Sequence, residues 1–128
     1  MTQAGEQDRT IRVLLVDDHE LTRRGLALLL ESTPGIRVVG QAGEAAQGIE
    51  LARDLKPDVV IMDVSMPGVS GVDATRAIKA ERPITRVIGL SMHEMDGVRQ
   101  SMLGAGADDY VTKSAPPEDL LAAIRRTP

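Results

Sequence analysis

The sequence predicts a single doubly wound α/β domain, built as five β–α units around a parallel sheet. Two observations carry this. Short runs rich in valine and isoleucine alternate with longer segments of helical periodicity. Breaker residues fall between them: Ser32–Gly35 (STPG), Lys56-Pro57 and Met66-Pro67-Gly68. Such alternation puts helices on both faces of a parallel sheet.

The expected strands are Ile11–Val16, Ile36–Val39, Asp58–Met62, Arg86–Leu90 and a short Asp109–Thr112. Valine and isoleucine fill buried strands well because their branched side chains pack on a pleated surface. Helical patterns lie near Leu21–Glu31, Glu44–Leu55, Val72–Glu81, Met95–Leu103 and Pro117–Arg126. In the first, Leu21, Gly25, Leu28 and Leu29 share one face, with Leu26 and Leu30 beside it. Pro116 and Pro117 suit the first turn of the last helix. Glu118 and Asp119 at its start and Arg125 and Arg126 at its end agree with the helix dipole. The expected organisation is a loose polar tail over 1–10, one domain over 11–126, and the start of a linker at 127–128.

Composition narrows the function. The chain has 128 residues, enough for one domain with a core of its own. Cysteine is absent, which removes disulfides and thiolate metal sites. Phenylalanine and tryptophan are absent and Tyr110 is the one aromatic residue, so stacking on nucleic-acid bases has no platform. A formal net charge of −4 opposes direct binding to a phosphate backbone. No apolar run has the length of a membrane helix, and MTQAGEQDRT lacks a signal-peptide core. A cytoplasmic protein is expected.

In an open α/β sheet, sites form outside the carboxyl ends of the strands. The residues just past those ends are Asp17 and Asp18 for the first strand, Asp63 for the third, Ser91 for the fourth and Lys113 for the fifth. Three carboxylates gathered in a partly buried site repel one another unless one is protonated or a cation joins them. Oxygen ligands suit a hard ion, and Mg²⁺ fits best because it accepts few protein ligands and keeps waters. An aspartate can attack phosphorus to give an acyl phosphate. The ammonium of Lys113 and the hydroxyl of Ser91 would then stabilise the transferred oxygens.

Taken singly, these residues have plainer explanations. Asp17-Asp18 before a helix could be a cap, Lys113 a surface lysine and Tyr110 edge packing. His19 and His93 have no partner at metal-ligand spacing, so both are expected to be surface residues or helix caps. The methionines are expected to pack core and loops.

Four motifs in order, VLLVDDHE, DVVIMDVSMPGVSG, VIGLSM and GADDYVTK, resemble the receiver domain of two-component response regulators over residues 11–126. The resemblance implies a flavodoxin-like fold with strand order 2-1-3-4-5. It makes Asp63 the phosphorylated residue and Asp18 a direct Mg²⁺ ligand, with Asp17 acting through water. The backbone carbonyl of Ser65 would also ligate the metal. Ser91 would follow the phosphoryl group, Lys113 would pair with it, and Tyr110 would be the aromatic switch. A sensor histidine kinase is the implied donor and a homodimer the implied active form.

The stretches LSMHEM and KSAPPEDLLAAI look like the LuxR/FixJ/NarL type, which carries a helix-turn-helix DNA-binding domain after the receiver. DNA contact would belong to that further domain. Two departures stand out: Ser114 comes after the lysine where many receivers have proline, and Met92 stands where a small residue is common. The competing readings are a degenerate or stand-alone receiver acting through protein contacts, and a phosphatase of the haloacid-dehalogenase type. The latter wants an aspartate two residues after its nucleophile, where this chain has Ser65. A flavin or nucleotide module would need a glycine-rich first turn, and DDHE is not one.

Overall fold

The computed structural model describes residues 10–64, 70–91 and 96–126. The strands are β1 (Ile11–Val16), β2 (Ile36–Ala42), β3 (Val59–Asp63), β4 (Arg86–Ser91) and β5 (Asp109–Thr112). The helices are α1 (Glu20–Glu31), α2 (Ala45–Leu55), α3 (Gly71–Glu81), α4 (Asp96–Gly104) and α5 (Pro117–Arg125). All strands pair in parallel in the order β2-β1-β3-β4-β5. The expected fold is therefore the one formed.

Side chains on a strand alternate between faces, and the core divides accordingly. Leu14, Val16, Val60, Met62 and Val87 point to the face covered by α2, α3 and α4, where they meet Ala52, Ile78 and Met102. Val13, Leu15, Val59, Ile61, Ile88 and Leu90 point the other way, onto Leu30 of α1 and Leu120 and Ile124 of α5. Both faces are covered, so β3 and β4 are buried along their whole length. Burying each such aliphatic side chain contributes roughly 1.5–3 kcal/mol.

Several element ends shift by one residue, so that Asp63 and Ser91 are the last residues of β3 and β4, and two larger differences stand out. β2 runs on to Ala42, because parallel pairing with β1 continues through Gly40 and Gln41 after a register shift at Val13/Leu14. On α1 the face expected inside is mostly outside: Leu21 is 86% and Leu28 72% exposed, and Leu30 is buried. The leucine arc is wider than the strip a helix buries against a sheet, and Leu26, Ala27 and Leu30 take that strip.

The end of the sheet away from the carboxyl termini is latched by polar contacts. The Arg12 guanidinium donates to the carbonyls of Leu55 and Lys56 at 2.8 Å each, placing positive charge on the C-terminus of α2. Asp58 accepts from the Arg12 amide at 2.9 Å. Asp108 accepts from the Val87 amide at 2.8 Å and the Lys79 ammonium at 3.1 Å. These contacts leave the opposite end of the sheet to the functional groups. Among the described residues no helix is long and apolar enough to cross a membrane.

Candidate functional site

The carboxyl ends of β1, β3 and β5 bring Asp17, Asp18, Asp63 and Lys113 together, and β4 ends beside them at Ser91. Asp17 comes directly after β1, and its amide donates to Ala42 of β2 at 3.0 Å. Its carboxylate accepts the amide of His19 at 2.9 Å, closing a local turn that starts α1. Arg23 donates to the Asp17 carbonyl at 2.6 Å from the first turn of α1. Asp63 ends β3 and is 0% exposed. Gly71, at the start of α3, lies so close that a Cβ there would sit 2.6 Å from the Asp63 carbonyl oxygen. Ser70 caps the same helix by accepting from the Asp73 amide at 3.0 Å. The turn of α3 onto Asp63 therefore needs glycine at 71.

Lys113 comes one residue after β5, and its amide donates to the Ser91 carbonyl at 2.6 Å. Its ammonium, with the side chain 8% exposed, lies 2.9 Å from Asp17 Oδ2 and 3.5 Å from Asp63 Oδ2. Ser91 ends β4, buried, in register with Thr112. Burial would push Asp17 up, but the His19 amide, the Lys113 ammonium and hydrogen bonding with Asp63 outweigh it. The Asp17 carboxyl is thus held below its ordinary range.

His19 is a half-exposed surface residue, as expected, and it also reaches the acidic cluster. It starts α1 without making a side-chain capping bond. Its Nδ1 instead faces the acidic residues, 3.3 Å from Asp17, 3.2 Å from Asp18 and 3.8 Å from Asp63. The imidazole belongs to the site. Spacing along the chain does not signal this contact, because it arises from the turn at Asp17.

The donor set fits a divalent cation. One ligand atom from each of Asp17, Asp18, His19 and Asp63 falls within 4.8 Å of the others. Three carboxylates facing one ammonium leave an excess of negative charge, which a doubly charged ion balances. The expected Ser65 carbonyl lies outside the described residues, as do Met66, Met92, His93 and Met95.

Tyr110 on β5 points into the core beside β4, not into the acidic pocket. Its ring lies over Gly89, where a Cβ would come within 2.8 Å of Cδ1 and 3.0 Å of Met102 Cε. The Arg99 guanidinium stands 4.9 Å from the ring centroid. Gly71, Gly89 and Arg99 carry no signal of their own in the sequence, since their roles depend on what faces them.

A model of the response regulator receiver domain matches residues 13–125. The chain belongs to the response-regulator receiver family. The response regulator GacA of Pseudomonas viridiflava is 44% identical over 115 residues, spanning 90% of this chain and 54% of that protein. UvrY of Escherichia coli strain K12 is 42% identical over 115 residues, 90% of this chain and 53% of that protein. This receiver chain thus spans about half the length of the curated relatives it matches. A two-component response regulator of the LuxR family from Aurantimonas sp. SI85-9A1 superposes with a TM-score of 0.86 at 40% identity, covering 90% of this chain and 82% of that one. The response regulator domain of Thermotoga maritima CheB gives 0.85 at 36% identity, over 93% of this chain and 96% of that one. The similarity to a LuxR-family regulator agrees with the subfamily read from the sequence.

Proposed function

We propose that Asp63 of this receiver takes a phosphoryl group from a phosphohistidine of a sensor histidine kinase. The observation that carries the proposal is the meeting of Asp17, Asp18, Asp63 and Lys113 at the carboxyl ends of three different strands. A carboxylate oxygen of Asp63 forms the new P–O bond, and the bond to the donor imidazole breaks, leaving neutral histidine after proton uptake. Asp17, Asp18 and Asp63 would hold Mg²⁺, with the Ser65 carbonyl a further ligand by the family resemblance. Bound there, the ion would neutralise charge on the phosphoryl oxygens. Lys113 leaves its pairing with the carboxylates to meet a phosphoryl oxygen, and the Ser91 hydroxyl donates to another. The chain catalyses nothing beyond gain and loss of its own phosphoryl group.

Movement of Ser91 toward that group shifts the end of β4, next to the strand that carries Tyr110. The pair biases an existing two-state equilibrium at the face made by α4, β5 and α5. The active form is a homodimer, through α1 and α5 or through the α4 face. By likeness to LuxR-type regulators, the whole protein continues past residues 127–128 into a helix-turn-helix domain that contacts DNA and regulates transcription in the cytoplasm. Residues 11–126 serve as its receiver, and 1–10 as a tail.

Intact-mass measurement after incubation with Mg²⁺ and a small acyl phosphate tests the acceptor. A single added phosphoryl group, absent from Asp63→Asn and from samples containing a chelator, is expected. An unmodified wild-type chain would make it a degenerate receiver, and continuous donor hydrolysis without an adduct would make it a phosphatase.

A further inference from the structure

Building on the divalent-cation reading above, we propose that His19 is a fourth metal-ligating side chain, which biases the site toward first-row transition ions such as Mn²⁺ and Co²⁺. Three features of His19 point this way. Its amide donates to Asp17 Oδ1 at 2.9 Å, which fixes its backbone beside the carboxylates, while the side chain is 55% exposed. Its ring makes no capping bond to α1, although it occupies the capping position. Its Nδ1 lies 3.2 Å from Asp18 Oδ1 and 3.3 Å from Asp17 Oδ1.

Those separations have meaning for coordination. Adjacent ligand atoms around an octahedral ion with bonds of about 2.1 Å are about 3.0 Å apart. The imidazole nitrogen lies within a few tenths of an ångström of that spacing from each of two carboxylate oxygens. Asp63 Oδ2, at 3.8 Å from the same nitrogen, fits a neighbouring position after a small adjustment. Lys113 holds Asp17 through its other oxygen, Oδ2, so Asp17 Oδ1 stays directed toward the imidazole.

The chemical consequence is selectivity. Mg²⁺ takes oxygen ligands and dehydrates reluctantly, so an imidazole adds little to its binding. Neutral imidazole suits the later first-row ions, and affinity rises from Mn²⁺ to Co²⁺ in the usual order. An all-carboxylate cluster would discriminate less between Mg²⁺ and Co²⁺ than one that includes nitrogen.

The test is direct binding, independent of phosphorylation. Wild type, His19→Gln and Asp18→Asn are titrated calorimetrically with Mg²⁺, Mn²⁺ and Co²⁺ in turn, and the Mn²⁺ forms are examined by pulsed EPR. Wild type should show nitrogen modulation from a bound imidazole and lose it in His19→Gln. That variant should bind Co²⁺ about tenfold more weakly while its Mg²⁺ affinity stays within about twofold. No nitrogen signal, a signal that survives His19→Gln, or an equal loss for Mg²⁺ and Co²⁺ would overturn the assignment. Mg²⁺ binding that depends on Asp18 but comes without the imidazole signature rejects His19 alone. A wild-type chain that binds none of the three ions rejects the cation site and His19 with it.

Discussion

Asp17 sits where two demands meet. Burial disfavours its charge, and the His19 amide and Lys113 ammonium favour it more strongly. Because its carboxyl is held below the ordinary value of 3.8, the folded state gains stability from Asp17 above that pH. The gain is lost as pH falls from 3.8 toward the lowered folded-state value, because protonation then costs the native contacts. Urea unfolding measured across this interval should show wild type losing more stability on acidification than Asp17→Asn. Parallel curves would mean that Asp17 is not the group responsible. Lys113 is the matching cation, and its pairing with two different aspartates explains how a buried ammonium is tolerated. His19 was expected at the surface or as a cap, and its side chain is 55% exposed, yet the turn at Asp17 brings Nδ1 against two carboxylates.

The element that decides how Tyr110 sits is β4. Gly89 pairs with Tyr110 across the sheet, and the absence of a side chain there makes room for the ring. The Tyr110 hydroxyl is buried with no hydrogen-bond partner among the described residues, which costs about 1–3 kcal/mol. Packing against Gly89 and Met102 and the Arg99 guanidinium above the ring offset that cost. Gly89→Ala should therefore expel the ring, because a Cβ would stand 2.8 Å from Cδ1, well inside van der Waals contact. Tyr110 is the chain's one aromatic residue, so intrinsic tyrosine fluorescence reports on it alone. Acrylamide quenching should rise severalfold in Gly89→Ala while far-ultraviolet circular dichroism keeps the native helix signal. Unchanged quenching would show that β4 does not set the position of the ring. Helix α1 gives the complementary lesson. Its leucines mark it as a helix, but Leu21 and Leu28 stand in solvent because the sheet accepts a narrower strip than the sequence offers.

Across the whole molecule, the sheet converts sequence order into a site. β1, β3 and β4 are interior strands of one parallel sheet, so their carboxyl ends share an edge, and β5 adds Lys113 beside them. This was legible because β3 is apolar from Val59 to Met62 and then ends abruptly in a charge, Asp63. Position in the sheet, and not the residue type alone, gives Asp63, Ser91 and Lys113 their meaning. The extension of β2 through Gly40 and Gln41 was not legible, since those residues lack strand character and take it from pairing with β1. Gly71 and Gly89 were equally silent, because a glycine reveals close approach only once the opposing atoms are known. The proposed function makes Asp63 the one nucleophile of this assembly. Borohydride reduction of an acyl phosphate marks the modified aspartate as homoserine. After treatment with Mg²⁺ and a small acyl phosphate, peptide mapping of the reduced protein should find homoserine at residue 63 and nowhere else. Homoserine at Asp17 or Asp18, or at no aspartate in a phosphorylated sample, would rule out Asp63 as the acceptor.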